Sequence, residues 1–242
     1  SEVYGPEGAA DYWAGILKMK REDVEKIIGT PELDSSVRSR LAKKGGIGYV
    51  QPSEYTFPEA GRFIQWVLSC GAVPMIAWLD GTSRGEKNPY DIFECLMSKG
   101  VAALNIIPDR NWNIKDPDEK KIKTQNLKRA VEAAEDLGLP INIGTEMNKP
   151  GLPLYDDLHT EELEPYRDIF LKGARIITGH SVLARFADYS YTGERAHADF
   201  AAVEEKNRFF EDVGSMPPID RRTADELRNS GTEEAFQRLT GN

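Results

Sequence analysis

Val101-Ala102-Ala103-Leu104-Asn105-Ile106-Ile107-Pro108 runs without interruption into Asp109-Arg110-Asn111. The apolar part is too short for a stable helix and too continuous for a half-exposed strand, so it reads as a β-strand buried on both faces, as in a parallel sheet. Four further stretches have the same form. They are Gly48-Tyr49-Val50-Gln51-Pro52-Ser53-Glu54, Val73 to Leu79 leading into Asp80-Gly81-Thr82-Ser83, Ile141-Asn142-Ile143-Gly144 leading into Thr145-Glu146-Met147-Asn148, and Arg175-Ile176-Ile177-Thr178 leading into Gly179-His180-Ser181. Their centres lie about 30 residues apart, the length of one strand–crossover–strand unit. Helical patterns fill the intervals. Phe57 to Cys70 places Phe63, Trp66, Val67 and Cys70 on one face, and the segment from Asn88-Pro89 to Gly100 does the same with Ile92, Phe93, Leu96 and Met97. Residues 117–138 run from an Asp116-Pro117 cap to Gly138 with Ile122, Leu127, Val131 and Ala134 inward, and Thr160 to Gly173 repeats Leu163, Tyr166, Ile169 and Phe170. Such alternation predicts an α/β fold with parallel strands, here an incomplete or distorted TIM-like (β/α) barrel with a helical C-terminal tail.

Three regions follow. Residues 1–45 read as a helical lead-in, with an amphipathic Arg21 to Ile28 and a basic Ser35 to Lys44. The barrel part occupies 46–193, and the tail over 194–242 holds helices near Ala196–Val213, Thr223–Ser230 and Thr232–Leu239. A full barrel takes about 250 residues. With the chain opening on Ser1 and no strand before residue 46, the lead-in is expected to continue from an upstream segment.

Composition narrows the function classes. A net charge of −9 argues against a phosphate-tracking surface, so nucleic acid is not an expected partner. No apolar stretch is long enough to span a membrane, and no secretory leader pattern opens the chain, which predicts a cytoplasmic location. The two cysteines, Cys70 and Cys95, fall inside helical patterns and read as buried structural thiols rather than redox or zinc groups. Neither a P-loop nor a dinucleotide fingerprint occurs. Oligomeric state is open at this level.

In parallel α/β folds chemistry sits at the carboxyl ends of the strands, so the polar endings carry the site expectations. Asp80 offers a carboxylate to a metal or a sugar hydroxyl, or else caps its own Asp-Gly turn. Asp109 and Arg110 can pair, leaving Arg110 to present a planar fork to phosphate or carboxylate, with Asn111, Trp112 and Asn113 adding amides and an aromatic face. The alternative there is a surface loop with a helix cap at Asn113 or Asp116. Glu146 is the strongest single candidate, as general base, metal ligand or hydroxyl acceptor, with Asn148 on the same face and Lys149 opening a loop that runs to Asp156-Asp157. A structural pairing of Glu146 with a lysine is the alternative. His180 at a strand end is the candidate acid–base group or ligand, with a hydrogen-bonded structural histidine as the alternative, and Gly179 would let a ligand approach the backbone. His159 and His197 are expected in solvated positions.

These endings resemble the carboxyl-terminal part of the polymerase-and-histidinol-phosphatase (PHP) superfamily of metal-dependent hydrolases. Glu146-Met147-Asn148 is similar to that family's Glu-Ile-Asn stretch, and Arg175 to Ser181 to the strand leading into its last metal motif. The resemblance covers about residues 73–190. It implies a distorted barrel, a divalent metal (zinc or manganese) held by Glu146 and His180, and hydrolysis of a small phosphorylated or sugar-like substrate with Asp80 supporting. Its His-x-His motif is absent from this chain, and the Asp-x-His motif is reduced to His180. Two other readings stand beside it: a metal-independent sugar isomerase or lyase on a (β/α) barrel, and a non-catalytic binding domain.

Overall fold

A computed structural model describes residues 3–147 and 154–241. The chain divides into two units, residues 1–59 and 60–242. In the first, α1 (Gly5–Leu17), α2 (Arg21–Ile27) and α3 (Pro31–Val37) are followed by a π-helical turn over Arg38–Ala42. Ala9, Ala10, Leu17, Val24 and Ile27 are its buried side chains. The Arg40 guanidinium donates to the carbonyl of Leu17 at the carboxyl end of α1, where the last orphan acceptors of a helix lie. The expected strand over 48–54 is not formed. Val50 is exposed, Pro52 lacks a ladder donor, and Ser53 instead closes a turn that accepts from the Phe57 amide. Two apolar residues, Tyr49 and Val50, bury too little to hold a strand.

The second unit contains α4 (Ala60–Ser69), β1 (Met75–Trp78), α5 (Pro89–Met97), β2 (Ala103–Ile106), the single turn α6 (Asp109–Trp112), α7 (Pro117–Asp136) and β3 (Ile141–Ile143). After a 3₁₀ turn at Glu164–Tyr166 come α8 (Arg167–Ala187), α9 (Glu194–Asp199), α10 (Val203–Gly214), α11 (Arg221–Asn229) and α12 (Thr232–Thr240). The three strands form one parallel sheet in the order β1-β2-β3, with Ile76 opposite Leu104 and Leu104 opposite Ile141. The α/β class and the parallel pairing therefore hold, while the strands do not close into a barrel among the described residues. Ile76, Trp78, Leu104, Ile106 and Ile141 pack with Ile64, Phe93, Leu127 and Val131 from α4, α5 and α7. The opposite face carries the register row Ala77, Asn105 and Asn142, where the Asn142 amide donates to Asn105 Oδ1 at 2.7 Å.

The run Arg175 to Thr178 lies inside α8 rather than in a strand. Phe170, Gly173, Ile176, His180, Leu183 and Ala187 are buried at intervals of three and four, so the local β-branched pair Ile176-Ile177 is overridden by a helical stripe that extends on both sides of it. Helix α8 reaches the sheet through Gly173, where a Cβ would lie 1.9 Å from the Ile141 carbonyl oxygen. Its second half crosses α10 through Gly179 and Gly214, and there a second core forms from Ile176, Leu183, Phe186, Phe210 and Val213 together with Leu227 of α11 and Leu239 of α12. Helices α10, α11 and α12 thus pack with the second half of α8 in this core.

Face assignments also shift in the helices. On α4, Ile64 is buried and Phe63 and Trp66 are exposed, and on α7 Ile122 is exposed while Leu127, Val131 and Ala134 are inward as expected. Cys70 and Cys95 are both exposed, not buried. The Asp116 cap is in place, its carboxylate accepting from the Glu119 amide at 2.8 Å. Among the described residues no helix is long and apolar enough to cross a membrane.

Candidate functional site at the carboxyl edge of the sheet

The three strands end side by side, and the residues just past each end meet. Beyond β1, Gly81 adopts φ +73°, and a Cβ there would stand 2.7 Å from that of Asn126. Only glycine permits that approach, and it lets the Asn126 amide donate to the Asp80 carbonyl at 3.0 Å. The Asp80 carboxylate accepts from the Thr82 amide (3.0 Å) and hydroxyl (2.6 Å) and pairs with Lys123 of α7 at 3.1 Å. Burial opposes its ionisation, but the Thr82 bonds and Lys123 outweigh burial and hold its pKa below the usual carboxylate range. Asp80 therefore both caps its turn and anchors a cation. Lys123 also meets Glu119, one helical turn away, at 2.8 Å.

Beyond β2, Asn111 is fully buried. Its amide donates to the carbonyls of Leu79 (2.8 Å) and Ile107 (2.9 Å), clamping the end of β1 to the end of β2. That use withdraws Asn111 from the substrate-binding role expected for it and makes it a positioning residue. The expected Asp109–Arg110 pair is also replaced. Asp109 accepts from Asn113 at 2.8 Å, while Arg110 spans to the end of β3 and grips Glu146 with both prongs, Nε to Oε2 at 2.9 Å and Nη2 to Oε1 at 2.8 Å. Parallel strands force this partner choice. Residues at the ends of adjacent strands lie about 5 Å apart, whereas consecutive residues in a helical turn point apart.

Beyond β3, Thr145 donates its hydroxyl to Asp156 Oδ2 at 3.0 Å. Asp156 is only 8% exposed. Burial, and then the nearby charge of Asp109, push its carboxyl above the usual range against the Thr145 bond. A buried acid so perturbed at a sheet's carboxyl edge has the character of a functional group. Sequence reasoning placed Asp156 only at the end of a loop and passed over Lys123 and Thr145. Nothing in the local pattern marks the three, because their partners lie on other elements. Asn148 and Lys149 lie outside the described residues.

His180 does not join this group. It sits on α8 seven residues past Gly173, about 10 Å along the axis, toward the amino ends of the strands. There its Nδ1 accepts from the Tyr191 amide at 3.1 Å, and burial lowers its pKa. Glu146 lies at the other end of β3, which puts the two on the order of 20 Å apart. The sequence therefore misplaces His180 by misreading a helix as a strand.

The metal implied by the PHP resemblance does not fit the described residues. Glu146 is held by Arg110, Asp80 by Lys123 and Thr82, His180 is remote, and no group of three metal-capable side chains occurs among the described residues. With that geometry in place, the chain was compared with known proteins. It matches no family model, no curated protein and no solved structure. The site must therefore be read from its own chemistry.

Asp80, Asp109, Arg110, Lys123, Glu146 and Asp156 make an alternating field of charge in which Arg110 is central, since Asp80 and Asp109 add to Glu146 in favouring its charged form.

Proposed function

We propose that the carboxyl edge binds a small phosphorylated or sugar-like molecule and moves protons on it without a metal, as an isomerase or lyase does on a (β/α) barrel. The carrying observation is the bidentate Arg110–Glu146 pair at the strand ends, together with the buried acid Asp156, which bonds Thr145, the chain neighbour of Glu146, and feels the charge of Asp109, the chain neighbour of Arg110. Arg110 would seat the anionic group, a geometry for which its fork is suited. Asp156, whose pKa burial raises, would hold or deliver a proton, and Glu146, released from Arg110 by the ligand, would accept one. The sheet order β1-β2-β3, with helices on one face and the small or polar row Ala77, Asn105 and Asn142 on the other, supports a barrel-type setting, in which such a row would face the interior.

Metal-dependent hydrolysis of the same substrate class is the second reading, favoured by one observation: Glu146 follows β3 as the Glu-Ile-Asn resemblance requires.

The two separate in one experiment. Solvent deuterium exchange into C3–C6 ketose phosphates is followed by NMR with the wild-type chain, Asp156→Asn and Arg110→Gln, with and without EDTA. Proton transfer predicts EDTA-insensitive exchange that falls about 100-fold in Asp156→Asn, the usual loss for an acid–base group. In Arg110→Gln the ketose phosphates should bind at least about tenfold more weakly, the loss of one charge-assisted contact. Exchange equal in all three proteins, or phosphate release that requires zinc or manganese, would reject the proton-transfer reading.

A further inference from the structure

At the amino-terminal side of the sheet, away from the edge just described, a cavity of about 270 Å³ opens between the segments entering β2 and β3 and the start of α10. Its walls include the apolar side chains Leu68, Met97, Val101, Leu139 and Val203. Lys206 of α10 also lines it. This lysine is 8% exposed, an unusual state for a residue type rarely buried without a partner. Among the described residues no carboxylate lies within ion-pair distance of its amine, and the amine donates no hydrogen bond. What it meets is the face of Tyr191, 4.2 Å from the ring centroid. The Tyr191 hydroxyl is occupied, donating to Asn207 Oδ1, whose amide in turn bonds the Gly138 carbonyl at 2.9 Å. The amine nitrogen is not among the fully enclosed polar atoms of the interior, and the open space that Lys206 lines is this cavity.

We propose that Lys206 is a carbonyl-reactive amine and that this cavity takes a small, largely apolar aldehyde or ketone. The walls supply apolar contact and no carboxylate to hold an ammonium, and burial lowers the amine's pKa, easing release of its proton to give the nucleophilic form, while the Tyr191 face is its one stabilising contact as a cation. The amine lone pair forms the C–N bond as the carbonyl π pair moves to oxygen. A proton passes from nitrogen to that oxygen, a second proton from solvent converts the hydroxyl to leaving water, and the nitrogen lone pair closes C=N. One proton is consumed and one water released, with no oxidant or reductant. His197, exposed at the cavity wall and close enough for the Lys206 charge to lower its pKa along with burial, is the group placed to relay the solvent proton. Tyr191 and His180, the other titratable groups here, are committed to Asn207 and to the Tyr191 amide.

The test is reductive trapping of the intact chain with butanal and cyanoborohydride at pH 7, with sites mapped by peptide mass spectrometry. With its pKa lowered by burial and a cavity to seat the aldehyde, Lys206 is expected to take the first butyl group faster than the surface lysines, and to lose that advantage in denaturing urea. Lys206→Met, which keeps the length and apolar stem, should abolish the fast phase and leave the slow surface reaction unchanged. Lys206 unmodified while surface lysines react, equal rates in the folded wild-type chain, or a fast phase that survives Lys206→Met would each overturn the proposal. The wild-type rate ratio decides the matter even if the variant fails to fold.

Discussion

Replacing Gly179 by alanine tests the reassignment of the Arg175 to Ser181 stretch from strand end to helix crossing. The added Cβ would sit 2.0 Å from the Phe210 carbonyl oxygen, where ordinary contact begins at 3.4 Å, so α10 must retreat by about 1.4 Å (3.4 − 2.0) or α8 must bend. The side chains that lose contact are Ile176 and Leu183 of α8 and Phe210 and Val213 of α10, all buried. Burial of each is worth roughly 1.5–3 kcal/mol, and a gap near 1 Å forfeits about a quarter to a half of the attraction at the contact. The four together lose about 3 kcal/mol, and alanine's better helix propensity returns about 1 kcal/mol. A net destabilisation of about 2 kcal/mol should lower the melting temperature by about 4–8 °C for a unit of this size. Urea and thermal unfolding followed by far-UV circular dichroism measure it. Gly15→Ala in α1, where a Cβ meets nothing within 4 Å, serves as the control and should gain up to about 1 kcal/mol in its own unit. If Gly179→Ala melts at or above the wild type, the helices do not cross at this glycine and the reasoning fails.

Three further outcomes are expected. Burial lowers the His180 pKa, so its contribution to stability is full above the unfolded value near 6.5 and is lost as pH falls through the folded value; His180→Asn, which keeps an acceptor for the Tyr191 amide, should flatten the fall in melting temperature between pH 7 and pH 5. Asp156 has the opposite sign: its folded pKa lies above the unfolded 3.8, so stability declines as pH rises through that interval and the penalty persists at neutrality. Asp156→Asn should therefore melt at or above the wild type at pH 7 and lose the advantage near pH 3, and a lower melting point at pH 7 would contradict this. Asn111→Ala leaves the Leu79 carbonyl without its donor, while the Ile107 carbonyl keeps the Arg110 amide, and should cost about 1–2 kcal/mol in urea unfolding; a loss below about 0.5 kcal/mol would show that the clamp is dispensable.

The sequence by itself determined the strands whose apolar runs are bounded on both sides by turn residues. Met75–Trp78, Ala103–Ile106 and Ile141–Ile143 lie within the stretches read as strands, and the helices between them start at the Asn88-Pro89 and Asp116-Pro117 signals. It also located Asp80, Asp109, Arg110 and Glu146 just past strand ends, because a polar residue closing a buried run is a local signal. Partner choice was not local. Arg110 meets Glu146, and Asp80 meets Lys123, only because parallel pairing sets strand ends about 5 Å apart and lays α7 across them. Asp156 became a perturbed acid only when folding buried it and set Asp109 nearby, since desolvation is a property of the packed state. The run at 175–178 failed for the complementary reason. Four residues do not distinguish period 2 from period 3.6, and the stripe from Phe170 to Ala187, together with the close approaches at Gly173 and Gly179, decided for helix. That decision carried His180 to the amino side of the sheet, where Lys206 is also buried with no carboxylate partner among the described residues.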